Sequence, residues 1–231
     1  MKPIFLIMIL FFYSCETSSQ EINNQNNTMS NGLSYLALGD SYTIGESVTE
    51  DQRWPVQLAK SLSSNGVAVS NPQIIAKTGW TTDELKTKIV SENITKKYDL
   101  VSLLIGVNNQ YRGRSVEEFR KEYADLLETA IQFSGNRPQY VFVVSIPDWE
   151  VTPFGRNSPK KLISEQIDLF NAVKKEETEK RGILFVDITP ISRQAINDPS
   201  LIAEDGLHPS GKMYQLWTEK IVPELLKKIK P

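Results

Sequence analysis

The stretch Leu100-Val101-Ser102-Leu103-Leu104-Ile105, followed at once by Gly106-Val107-Asn108-Asn109, decides how this chain is organised. Six residues with one polar member show neither the strict alternation of a half-exposed strand nor the length of a helix. Such a run reads as a strand buried on both faces, the kind found in parallel sheets covered by helices on two sides. The same signature recurs on either side of it. Upstream lie Tyr35-Leu36-Ala37-Leu38, ending at Gly39, and Gln73-Ile74-Ile75-Ala76. Downstream lie Tyr140-Val141-Phe142-Val143-Val144 and Ile183-Leu184-Phe185-Val186.

Between these runs the apolar spacing changes to that of helices. A helix is predicted over 54–62, where Trp54, Leu58 and Leu62 stand four apart. A second opens at Thr81, which forms a capping box with Glu84 and turns Leu85, Ile89 and Val90 inward. A third covers 116–133, with Phe119, Tyr123, Leu126, Leu127 and Ala130 on one side. An amphipathic helix over 161–180 and a last helix over 209–229 complete the pattern, with Pro209 in the first turn and Pro223 kinking or breaking the helix. Five alternations of strand and helix predict a single α/β domain, a three-layer α/β/α arrangement around a flavodoxin-like five-stranded parallel sheet. No internal repeat or second domain boundary interrupts it. Ligands in such folds bind outside the carboxyl ends of the strands.

Composition narrows the function classes. The 231 residues are 40% hydrophobic and 23% charged, with 12 Gly and 12 Pro. That is ordinary globular usage and excludes a disordered, collagen-like or polytopic membrane protein. The formal charge of −2 gives no basic excess for nucleic acid. A single Cys makes neither an intramolecular disulfide nor a cysteine-based zinc site, and a single His excludes a multi-histidine metal site.

The single Cys belongs to the N-terminus. Met1-Lys2 precedes an apolar run over 3–13 and then Ser14-Cys15. A positive start, a short apolar core and a small residue before the cut make a signal peptide. The run is well short of the roughly 20 residues of a membrane span. Phe12-Tyr13-Ser14-Cys15 resembles a bacterial lipobox, with bulkier residues at its first two positions than is usual. Residues 1–14 are therefore expected to be a lipoprotein-type signal peptide and Cys15 the lipidated first residue of the mature chain. Residues 15–32, rich in Ser, Gln and Asn, are expected to form a flexible tether, and 33–231 the folded domain. The expected location is outside the cytoplasm, anchored to a membrane through lipid alone and facing the periplasm or the cell surface.

The segments after the strands carry the chemistry-bearing residues. After the first comes Gly39-Asp40-Ser41-Tyr42, where a Ser at a Gly-containing turn can present its hydroxyl to a base and a substrate. Lys77-Thr78-Gly79-Trp80 follows the second strand and Gly106-Val107-Asn108-Asn109-Gln110 the third. Near the end stands Asp205-Gly206-Leu207-His208, holding the chain's one imidazole. Across this Gly-containing turn Asp205 can accept from one ring nitrogen and leave the other to take a proton. Taken alone, the first, second and fourth fragments read better as a turn, a loop glycine and a surface His, and the third equally well as a capping Asn.

As a set, in this order, the four resemble the blocks of the SGNH or GDSL hydrolase superfamily, over the chain from about Leu33 onward. Tyr42 stands where Leu is frequent, and Asn109 where Asp is usual. The resemblance implies a serine esterase without metal or organic cofactor. Ser41 would be the nucleophile, His208 the acid and base, and Asp205 its orienting carboxylate. The Ser41 and Gly79 N–H groups and the Asn108 amide would form the oxyanion hole. Tyr42, Trp80, Asn109, Tyr111, Asp148 and Trp149 are candidates for the substrate pocket, as is the Thr152-Pro153-Phe154 segment. Arg112 and Arg114 are either available to an anionic group or solvated loop residues. The expected substrates are small acyl esters, including acetyl esters of glycans. The alternatives are a lysophospholipase or short-chain lipase, and a catalytically silent glycan-binding module on the same fold.

Overall fold

The computed structural model describes residues 32–229. The expected signal peptide, Cys15 and all of the expected tether except Gly32 lie outside the described residues. Five strands are present: β1 (Tyr35–Gly39), β2 (Gln73–Ala76), β3 (Leu100–Leu104), β4 (Val141–Val144) and β5 (Leu184–Val186). All pair in parallel, in the order β2-β1-β3-β4-β5. Every residue of β1, β3 and β4 is buried, whereas the edge strands β2 and β5 are partly exposed. The one polar residue in the central run, Ser102, is satisfied by the Tyr35 hydroxyl at 2.9 Å.

Long helices cover both faces: α2 (Trp54–Ser64), α3 (Thr82–Glu92), α5 (Val116–Phe133), α7 (Ile163–Glu179) and α9 (Gly211–Ile229). Four short ones follow turns: α1 (Ser41–Ile44), α4 (Val107–Tyr111), α6 (Pro153–Arg156) and α8 (Thr189–Ser192). The chain steps from β1 to β2 in one direction and from β2 through β3 to β5 in the other. Right-handed crossovers therefore put α2 on one face and α3, α5 and α7 on the other. Packing agrees, since α2 pairs with α9 while α5 packs against both α3 and α7. No helix among the described residues is long and apolar enough to cross a membrane.

The predicted helical faces hold in detail. Trp54, Leu58 and Leu62 are buried, as are all five named residues of α5, and Thr81 and Glu84 form the capping box. Three local readings are corrected. Val90 is 68% exposed, because α3 turns Leu85 and Ile89 inward and leaves its neighbour outside. Pro209 lies outside α9: it pairs with Ile202 in an antiparallel bridge, and Ser210 caps the helix by accepting from the Met213 N–H. Pro223 does not break α9. The carbonyl deprived of its donor belongs to Glu219, which, like Pro223, faces solvent, so water can replace the missing bond.

The clamp between α5 and α7 centres on Glu177. Its carboxylate accepts from Arg120 at 2.6 Å, Arg181 at 2.9 Å and Lys180 at 3.1 Å. Burial alone would raise this carboxyl, but bonds from the three cations hold it down at about 2. A depressed carboxylate stabilises the fold above its ordinary range, and that contribution is lost as pH falls through the folded value. Glu177→Gln should lower the midpoint of thermal unfolding at pH 7 by about 3–6 °C, from the loss of about 1.5 kcal/mol. The gap between the two proteins, followed by circular dichroism, should narrow as pH falls from about 4.5 toward 2.

Candidate active site

The two directions of strand addition diverge at β1 and β3, so a crevice opens between their carboxyl ends. Ser41 lies directly beyond β1 as the first residue of α1, whose first N–H groups have no partner within the helix. Asp40 caps that turn, accepting from the Tyr42 N–H at 3.1 Å. Gly39 is required here, because a Cβ would fall on the Thr43 side chain and the Leu104 carbonyl. Gly79 follows β2 with φ +88, and the space where a Cβ would stand is open. Asn108 follows β3 on α4.

The fourth fragment arrives from far along the chain. Residues 201–210 form a small bridged loop, in which Ala203 N–H donates to His208 O and Ser210 N–H to Leu201 O, each at 2.8 Å. Within it Asp205 wraps its own turn. Oδ1 accepts from the N–H groups of Leu207 and His208, each at 2.9 Å. Oδ2 lies 2.6 Å from His208 Nδ1. Burial pushes the Asp205 carboxyl up, but these bonds and one from Ser47 overcome it and hold it at about 2. An ionised Asp205 takes the Nδ1 proton as its donor and leaves Nε2 as an acceptor. The Tyr42 ring meets the imidazole edge-on, with centroids 5.6 Å apart, and fixes its tilt.

Ser41, Gly79, Asn108 and His208 all line one cavity of about 200 Å³. Its remaining wall is largely aromatic and aliphatic, with Tyr42, Tyr111, Trp149, Phe154 and Leu207. Trp149 stands between Tyr111 and Phe154, with ring centroids 5.5 and 5.9 Å away, and its Nε1 donates to Gln110 at 2.9 Å. The Asn108 amide is oriented by donating one N–H to the Trp80 carbonyl at 2.9 Å, which leaves its second N–H free of that bond. Arg112 pins the Gly79 carbonyl at 2.7 Å while gripping both oxygens of Glu84. Among the described residues no cluster of three or more His, Cys, Asp or Glu side chains could hold a metal ion.

Three pocket candidates lie elsewhere. Trp80 is packed against the core and gives the site only its carbonyl. Asn109 is fully buried and is spent on the start of α3: Oδ1 accepts from the Thr82 N–H at 3.1 Å and Nδ2 donates to the Thr82 hydroxyl at 2.6 Å. The Asn suits this place, because Glu122 stands 3.4 Å from Nδ2 and would repel a carboxylate. Asp148 is buried against Arg193, Ser164 and the Glu150 N–H. Arg114 is committed to Asp83.

Nothing in the sequence points to Ser47, and Thr78 and Leu207 stand inside the motif fragments without a role of their own. Ser47 adopts a left-handed conformation, φ 64, and donates to Asp205 Oδ2 at 2.8 Å. Its role depends on a contact across 158 positions of chain, for which local sequence carries no sign.

A family model described as the GDSL-like lipase/acylhydrolase family matches residues 37–216. The chain belongs to that family. It is a serine hydrolase of the esterase and lipase group. Solved structures agree on the fold. A crystal structure of TesA is 17% identical with a TM-score of 0.67, covering 85% of this chain and 99% of that one. The esterase EstA from Pseudoalteromonas sp., inhibited by monoethylphosphonate, is 14% identical with a TM-score of 0.65, covering 86% and 100%. The acetyl xylan esterase AlAXEase is 15% identical with a TM-score of 0.64, covering 83% and 99%. No curated protein matches the sequence.

Removing the Ser47 donor takes one bond from a carboxylate that keeps three others. Ser47→Ala should therefore cost about threefold to tenfold in turnover of an ester substrate, with KM little changed. Steady-state kinetics of the purified variant against the native enzyme checks this.

Proposed function

We propose that this hydrolase cleaves carboxylic esters bearing short acyl groups, through Ser41, His208 and Asp205. The observation that carries the reading is the 2.6 Å contact of Asp205 with His208, which lines one small cavity with Ser41, Gly79 and Asn108. Ser41 Oγ attacks the ester carbonyl carbon while His208 Nε2 takes its proton. Asp205 holds the imidazole and stabilises the imidazolium. The tetrahedral oxyanion accepts from the Ser41 and Gly79 N–H groups and from the second N–H of Asn108. Collapse breaks the bond to the alkoxy oxygen, and His208 returns the proton to the departing alcohol. Water, deprotonated by His208 in turn, then releases the acid from Ser41.

Cavity size supports the short acyl group. At on the order of 30 Å³ per water-sized group, the space holds about seven such groups. An acetyl or butyryl chain fits within this space, whereas a palmitoyl chain would have to run out of it. An aromatic wall beside a small acyl site suits a sugar as the alcohol, and acetylated glycans are the substrates we favour. An acetyl xylan esterase among the structural neighbours is consistent with this. A second hollow of about 420 Å³ continues beyond Tyr111 and Phe154. It is the feature that a lysophospholipase or short-chain lipase would use for a longer chain.

Hydrolysis of p-nitrophenyl esters from acetate to palmitate, by the chain lacking residues 1–20, tests the reading. Turnover should be highest with the short chains and absent in Ser41→Ala. Asn108→Ala should lose about 10² to 10³ in kcat. Asn108→Asp should lose more, because it sets a negative charge where negative charge develops. A preference for long chains would favour the lipase reading, and an Asp variant as active as the Ala variant would remove Asn108 from the oxyanion hole.

We propose further that the chain is exported and anchored to a membrane through lipid on Cys15. The Phe12-Tyr13-Ser14-Cys15 sequence after a short apolar run supports this. Radiolabelled palmitate should enter the native protein and not Cys15→Ala; equal labelling of the two would refute the anchor.

A further inference from the structure

Lys174 lies in α7 and is fully buried, the single buried lysine among the described residues. Helical phasing put it there. Ile167, Phe170 and Lys174 fall three and four apart on one face, and the first two are core residues. The ammonium donates to two backbone carbonyls, Ile105 O at 3.0 Å and Val144 O at 2.9 Å. Val144 ends β4, and Ile105 is the residue after β3. The ladder between these strands has stopped at Leu103 and Val143, so Lys174 bridges the strand ends where the sheet no longer does.

The charge of the same ammonium is felt at Asp40. Asp40 is fully buried, one residue before Ser41, and only its Oδ1 is used in capping α1; Oδ2 has no hydrogen-bond partner. Burial drives the Asp40 carboxyl up and the Lys174 ammonium down, and the field of each opposes the other's shift. The Tyr123 ring, 5.7 Å from Nζ, is a further wall of this compartment. Lys174 thus joins the ends of β3 and β4, and its charge acts on Asp40 beyond the end of β1. β1 leads through Asp40 into Ser41. β3 leads through Ile105 and Gly106 into α4 and Asn108. β4 leads into the segment that carries Trp149.

We propose that Lys174 is a positioning residue for the ester hydrolysis, holding the oxyanion donor Asn108 in register with Ser41 by tying together the carboxyl ends of β3 and β4. The proposal rests on the oxyanion reading of Asn108 given above. An apolar side chain of the same length would fill the space, but Ile105 O and Val144 O would lose their donor and Asp40 the field of the ammonium. The strand ends could then shift against one another, and a misplacement of about 1 Å is enough to cost on the order of 10² in rate.

The test is a double-substitution cycle on p-nitrophenyl acetate, with kcat and KM measured for folded proteins. Lys174→Met should lower kcat about tenfold to a hundredfold with KM within about twofold. Because it acts through Asn108, adding it to Asn108→Ala should lower kcat by no more than about threefold beyond Asn108→Ala alone. Losses that multiply in full would overturn the proposal, since Lys174 would then act elsewhere. Native kcat in Lys174→Met, beside an impaired Asn108→Ala, would overturn it while leaving the oxyanion reading intact. Native kcat in Asn108→Ala would overturn both. Should Lys174→Met not fold, Asp40→Asn/Lys174→Met removes both charges and is compared with Asp40→Asn alone. The double variant should still show the kcat deficit, and a kcat equal to that of Asp40→Asn would reduce Lys174 to charge balance and overturn the proposal.

Discussion

The complete burial of β1, β3 and β4 is the constraint from which the rest follows. Strands covered on both faces need a helix after each, and parallel strands joined by helices all end on the same side. Every loop that follows a strand is thereby delivered to one edge of the sheet. The reversal of strand order at β1 and β3 then parts the loops of these two neighbours and leaves a crevice between them. The residues of the first three motifs share a cavity because the sheet has no other place to put them.

What the sheet delivers, a layer of polar bonds holds still. Asn109 ties the start of α3 to α4. Arg112 reaches back to the Gly79 carbonyl, and the Trp80 carbonyl takes one N–H of Asn108. Gln110 sets the Trp149 ring against the cavity. None of these groups takes part in the proposed reaction; Arg112 and the Trp80 carbonyl restrain residues that do, and Asn109 and Gln110 restrain the frame and wall around them. Preorganisation of this kind lets a donor meet developing charge without reorganising at the moment of reaction. The Asp205 loop follows the same logic with backbone N–H groups, which keep the carboxylate ionised and its acceptor oxygen turned to the imidazole.

Much of this was legible beforehand. Strands wholly buried on both faces betray themselves as apolar runs, and long amphipathic helices by their spacing, so all five strands and all five long helices stand where the sequence put them. The short helices α1, α4, α6 and α8 escaped notice because four or five residues contain no full apolar period. Pro209 misled because a proline suits either a first helical turn or the edge of a bridge, and Ile202, seven positions earlier, decided between them. Lys174 was readable in principle: it continues the apolar phase of Ile167 and Phe170, a position that calls for a hydrophobe. Trp80 and Asn109 are drawn toward the pocket by their place beside the motifs and Asp148 by its place after the fourth strand, whereas neighbours in a turn or helix point in different directions.

The sequence by itself determined the fold class, the order of the elements and the four fragments with their chemistry. Those properties are local: period, composition and the residue types that end each strand. The tertiary structure alone decided which side chains face one another. It brought Ser47 to Asp205 and placed Lys174 against the ends of β3 and β4. It turned Asn109 away from the cavity and the Trp149 ring toward it. Such contacts join residues tens of positions or more apart, and they depend on strand register and helix rotation, which are set only when the whole core packs at once.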